Sequence, residues 1–248
     1  MFKKLGWAAI LSISISFAIL ADEPKPQVIL LDDPDREIVW IDASGEAGEN
    51  AKSAIAFGAS PQSGTSGASG GHVTLVVRNL PKKVIIDAHG GRGGNGSNGG
   101  RGKYGLPGMD GKNAGLFSSA EEGENGGNGQ EGGNASHGGH GGKGGVVRIV
   151  YVPTENYNPR WQEHFEVKVN GGAGGSQGWG GLGGVGGEPG RGGKKFWSSS
   201  RAPSGQRGLD GSRGREGIAG SQGEDGRLEF IELENLKDFL LEEFLRSS

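Results

Sequence analysis

His137 and His140 are the residues whose type and spacing first suggest chemistry, because a close pair of histidines is a common beginning of a zinc site. Their setting speaks against it. They sit where Gly recurs at every third position, and in a three-residue-per-turn chain three residues advance about 9 Å. Imidazoles that far apart do not share a metal whose bonds to nitrogen are about 2 Å. Asp32, Asp33 and Asp35 offer the oxygens calcium takes, although the stretch reads more simply as a solvated lead-in. The Gly-rich tracts match phosphate loops in composition only, since no strand-to-α-helix context and no Gly-Lys-Ser/Thr ending accompanies them. Asn95-Gly96-Ser97 and Asn134-Ala135-Ser136 are N-glycosylation acceptors, relevant only in a glycosylating host. No catalytic residue, metal site or cofactor is expected, and the chain reads as a non-enzyme.

Binding has better candidates. Two turns, 112–122 and 194–204, set Leu116, Phe117, Phe196 and Trp197 among Ser, Lys and Arg. Aromatics with small polar residues on loops held by a rigid scaffold supply contact area at small entropic cost. The alternative is that these four side chains cap the scaffold by packing on each other, and both can hold.

The scaffold is glycine. Gly supplies 54 of the 248 residues, against a background of about 7%. It offers no side chain to bury and loses the most backbone entropy on ordering, which excludes an ordinary enzyme core unless the glycines keep a register. They do. Gly occupies 90, 93, 96, 99, 102, 105, 108 and 111 without a miss, then 123 to 144 with Ala135 as the single substitution. The runs 172–193 and 205–226 are unbroken. Such triplets predict polyglycine-II helices with one packed glycine face. A longer repeat encloses them, since adding 82 carries Gly90 to Gly172 and Gly123 to Gly205. A shorter copy precedes it, with triplet positions at Gly45, Gly48, Ala51 and Ala54 and then at Pro61, Gly64, Gly67 and Gly70.

Six segments rich in Val, Ile, Phe and Tyr bracket the runs, near 37–43, 72–78, 83–88, 146–152, 165–170 and 227–233, and read as strands. The expected fold is mainly non-α: about six antiparallel polyglycine-II helices on a small β-sheet base, in three strand, Gly-hairpin, strand repeats, with a short C-terminal α-helix. An eight-triplet run would extend about 70 Å. Collagen-like trimers are the rival, but prolines are few within the runs and each run must return to a strand of its own chain. In the 172–193 run, Trp179, Leu182 and Val185 form an apolar stripe expected to be buried. The 205–226 run, with Arg207, Asp210, Arg213 and Glu216, reads as an edge.

Residues 1–21 read as a secretory signal, with Lys3 and Lys4 before an apolar stretch and Ala18 or Ala21 as the small residue at cleavage. Removing them leaves 24 basic against 29 acidic side chains, a balance of −5, which argues against nucleic-acid binding. The remaining division is a lead-in at 22–36, a short repeat at 37–78, long repeats at 83–152 and 165–233 joined by a connector at 153–164, and an amphipathic helix at 234–248. That helix carries Leu236, Phe239, Leu240 and Phe244 as candidates for docking a partner or for self-association.

At the triplets of 90–111, 123–144, 172–193 and 205–226 the chain resembles polyglycine-II sandwich proteins, in plan the distal tail-fibre adhesins of T-even-type phages, with springtail antifreeze proteins as smaller relatives in architecture. The resemblance covers about half the chain and concerns repeat geometry. In those adhesins, distal loops recognise bacterial surface receptors. It therefore implies Leu116, Phe117, Lys194, Lys195, Phe196, Trp197 and Arg201 as binding residues, with a cell-surface macromolecule or glycan as partner. The expectation is an exported adhesin-like spike, secreted, at the cell surface or periplasmic, with no span left after signal removal. A structural or matrix protein, or fibre-tip component, assembling through its base and C-terminal helix is the second reading. Ice binding is a remote third, since the outward positions lack a flat Ala/Thr-like array.

Overall fold

The computed structural model describes residues 11–14, 27–32, 35, 37–53, 61–153 and 157–233. Its strands are β1 (Leu11–Ser14), β2 (Gln27–Asp32), β3 (Ile38–Asp42), β4 (His72–Asn79), β5 (Lys83–Asp87), β6 (Val146–Tyr151), β7 (Phe165–Lys168) and β8 (Arg227–Glu232). They form two four-stranded sheets, one in the order β1-β3-β5-β7 and the other β2-β4-β6-β8, with every pair parallel. Parallel neighbours need long crossovers, and here the Gly runs supply them. Each of the three hairpins leaves from an odd-numbered strand and returns to an even-numbered one, so outgoing strands collect in one sheet and returning strands in the other.

The core lies between the sheets. β-Branched and other apolar residues fill its inward positions: Val39 and Ile41 of β3, Val84 and Ile86 of β5, Val73, Leu75 and Val77 of β4, and Val147, Ile149 and Tyr151 of β6 are all buried. A short 3-10 turn, Trp161–His164, brings Trp161 onto Tyr151, Phe165 and Phe230 and closes one end. The connector expected at 153–164 thus includes an aromatic plug.

Beyond the sheets, the runs 43–53, 88–113 and 169–193 form one layer and 61–71, 121–145 and 203–226 the other. Their backbone hydrogen bonds go to different runs at every third residue. Within a layer neighbours are parallel, as in Gly90 N to Asn170 O, Gly93 N to Ala173 O and Gly96 N to Ser176 O. Between layers they are antiparallel, as in Gly172 N to Gly142 O and Gly175 N to Gly139 O. The spacing has a steric cause: a Cβ on Gly172 would lie 2.0 Å from Gly91 O, and one on Gly142 1.9 Å from Ala68 O.

Several expectations are corrected. The fold is not a bundle of polyglycine-II helices on one β base. Among the described residues the only helix is the four-residue 3-10 turn, and the regular structure is two small parallel sheets that continue into non-helical, mutually bonded arms. Nor is it collagen-like, because the arms alternate in direction across the layers of a single chain. The C-terminal helix expected at 234–248, with Leu236, Phe239, Leu240 and Phe244, lies outside the described residues. Residues 11–14, inside the segment expected as a removable signal, instead pair with β3 as an edge strand. The short hairpin's turn at 54–60 also lies outside the described residues. No described helix is long and apolar enough to cross a membrane.

Candidate binding site at the hairpin tips

The two long hairpins end side by side. Ala114 N donates to Lys194 O, and Lys194 N donates to the Asn113 side chain at 2.8 Å, so the turn 114–120 is fastened to the turn 194–202. The first turn is closed by a Gly115–Ser118 bridge. It presents Phe117 fully to solvent and Leu116 nearly so. The second is closed by the Lys194–Arg201 bridge and by Lys195 N donating to Ser200 O. Arg201 also donates from Nη1 to Gly192 O at 2.9 Å, which ties the turn to its arm.

Trp197 is the most unusual of these residues. Its φ is +55°, the only left-handed non-Gly backbone among the described residues, and its side chain is 93% exposed. A bulky side chain in that region carries backbone strain. Phe196 stands edge-on to it, with ring centroids 5.1 Å apart and planes at 84°. Among the aromatic rings of the two turns, this is the pair that meets. The structure brings Lys194, Lys195, Phe196, Trp197 and Arg201 together on one turn, places Leu116 and Phe117 on the adjoining one, and gives Lys194 and Arg201 structural bonds as well.

The outward faces carry a side-chain ladder that the sequence alone did not reveal. Asn95, Asn98, Asp110 and Asn113 accept the amides of Ser176, Trp179, Arg191 and Lys194, each 81 residues later. In the other layer Asn125, Asn128 and Asn134 accept from Gln206, Leu209 and Arg215. His137 and His140, which do not suit a shared zinc, do the same through Nδ1 for Ile218 and Ser221. The signal was present in the recurrence of Asn, Asp or His immediately before a repeat glycine. In the two glycosylation acceptors, Asn95 and Asn134 accept through Oδ1 and Ser97 and Ser136 are buried against each other.

The apolar stripe is corrected too. Trp179, Leu182 and Val185 face outward at 54%, 58% and 36% exposure, because the packed face belongs to the glycines. Tyr104, with the Arg101 guanidinium 4.9 Å above its ring, lies on the adjoining run. On the edge run, Asp225 and Asp210 accept from Gly171 N and Gly186 N, while Arg213 Nε donates to Gly180 O. These charged residues therefore satisfy a backbone edge that would otherwise stand open.

Charge at the base is paired. The Lys143 ammonium donates to Glu224, which holds the Glu224 carboxyl below its usual range and lifts Lys143 above its own. Asp42 is likewise held low, by the Ser44 hydroxyl first and then the Ser44 amide. Among the described residues no group of three His, Asp or Glu side chains is placed to hold a metal ion. No protein-family model matches the chain, and neither curated proteins nor solved structures show significant similarity to it.

Proposed function

We propose that the protein is a non-enzymatic binding protein, adhesin-like in plan, that engages a cell-surface macromolecule or glycan through the two fastened tip turns, in a secreted or cell-surface setting. The observation that carries this reading is Trp197, whose strained backbone holds a large aromatic side chain in solvent. Beyond its edge contact with Phe196, an exposed Trp gains little for folding there, whereas binding sites collect such strain and such residues. Leu116, Phe117 and Phe196 extend the apolar contact, and Lys195 adds charge beside it.

The test replaces Trp197 by Gly, which relaxes the left-handed backbone, and Phe117 by Ser. Both variants should keep the wild-type melting temperature to within the effect of about 1 kcal/mol. Both should lose binding on an array of glycans and whole cells that the full chain binds. Unchanged binding by the double variant would overturn the tip assignment.

A further inference from the structure

The two turns that close the long hairpins reach their apexes together. Counting outward from the bond between Ala114 N and Lys194 O, Leu116 and Phe117 lie two and three residues on in one turn, and Phe196 and Trp197 two and three residues on in the other. The apex residues therefore stand at one end of the arms and at nearly one height. Leu116, Phe117 and Trp197 are 79%, 100% and 93% exposed.

Charge gathers at the same end. The stretches 114–120 and 194–202 hold Lys194, Lys195 and Arg201 and not one Asp or Glu, in a chain whose net charge is −3. The nearest carboxylates in sequence, Glu121 and Glu122, follow the first turn, and Glu121 is offset by the Lys112 ammonium 3.7 Å away. Arg201 is held to Gly192 O, whereas Lys195 is fixed through its backbone N to Ser200 O and keeps its side chain exposed.

Size and chemistry choose between partners. Full burial of an aromatic side chain removes about 150–250 Å² from water, and Phe196 is only 43% exposed. The four apex side chains thus fall short of the roughly 800 Å² that each partner gives to a stable protein interface. A glycan is held by polar groups converging on its hydroxyls, and the side chains of Leu116 and Phe117 offer none. A lipid bilayer asks for no matching shape: its hold grows with the apolar area buried, anionic headgroups attract cations, and Trp is favoured at headgroup level.

We propose that the tip inserts into an anionic lipid surface, with Leu116, Phe117 and Trp197 entering the interface and Lys194 and Lys195 at the headgroup phosphates. The inference rests on the assignment of binding to the tip turns and names lipid as what they touch.

The experiment is flotation of the full-length protein with vesicles of phosphatidylcholine alone and of phosphatidylcholine mixed with phosphatidylserine, repeated with brominated acyl chains that quench tryptophan. Binding is expected to the mixed vesicles and should weaken as salt is raised, with part of the tryptophan emission quenched and that part missing in Trp197→Gly. Phe117→Ser should lower the affinity at least about tenfold and Lys195→Gln several-fold, both with unchanged melting curves. Trp179→Ser, on the outward face of an arm, should keep wild-type affinity. Wild-type affinity in a variant carrying both Phe117→Ser and Trp197→Gly, or a loss in Trp179→Ser equal to that in Phe117→Ser, would overturn the site. If no vesicle is bound while the same tip variants still abolish capture by glycans or cells, the lipid assignment falls and the tip assignment stands. Tip-dependent vesicle binding with unchanged capture by glycans would uphold the lipid assignment and remove the glycan from the reading.

Discussion

The carbonyl oxygen of Lys103 explains why position 184 is glycine. A Cβ there would lie 1.8 Å from that oxygen, whereas a Cβ on Gly100 would meet nothing within 4 Å, and neither residue has a left-handed φ. Gly184→Ala should therefore cost about 2–3 kcal/mol or more, as overpacking against backbone that cannot yield. Gly100→Ala should be neutral or stabilising by about 0.5 kcal/mol, through the unfolded chain. Denaturant midpoints of the two variants check this, and equal losses would show that glycine content matters more than position. The same contrast explains a misread stripe. Trp179, Leu182 and Val185 look like a buried face only if burial follows side-chain size. Here the closest contacts belong to residues with no side chain, so the large residues are left outside.

Between β6 and β8, Arg148 Nε donates to Glu229 at 3.1 Å across neighbouring strands. The Glu229 carboxyl is held below its usual range, chiefly by that hydrogen bond, with partial burial acting the other way. A depressed folded value means the stabilisation is present above the unfolded value of about 4.3 and is lost as pH falls through the folded one. Glu37, Asp42, Glu166 and Glu224 are shifted in the same direction. Stability should thus decline on acidification between about pH 5 and 3, and Glu229→Gln should flatten part of that decline. Denaturation midpoints across this range give the slope, and a slope identical to wild type would place the acid sensitivity elsewhere. The strands themselves were legible from Val and Ile content, as in Val146 to Val150. Their partners were not, because a run such as Val84-Ile85-Ile86 fits either sheet, and only the path of the hairpins decides which strand lies beside it.

Over the whole molecule the decisive quantity is phase. The sequence repeat of 82 is visible without a structure, and it sets the hydrogen bonds that join Gly90 to Asn170 and Gly123 to Pro203, as well as the side-chain ladder one residue out of step with them. Trp197's backbone was not visible, since it does not depend on periodicity. Phase makes a sharp prediction about deletions in the 88–113 run. Removing Lys103 alone shifts every later residue of the run by one, so that side chains replace Gly105, Gly108 and Gly111 against the facing carbonyls. At about 1–3 kcal/mol for each forced contact, the outer half of that hairpin should no longer pack. Removing the three residues 102–104 keeps glycine in phase and gives up about one level of bonding, a loss of about 1 kcal/mol per hydrogen bond. Removing 129–131 as well, at the level where Gln130 N donates to Lys103 O, should recover part of that loss by matching the two arms. The order of stability expected from thermal melts and amide exchange is wild type, then the matched double deletion, then the three-residue deletion, with the single-residue deletion far below. A single-residue deletion as stable as the three-residue one would mean that the glycine register does not hold the arms together.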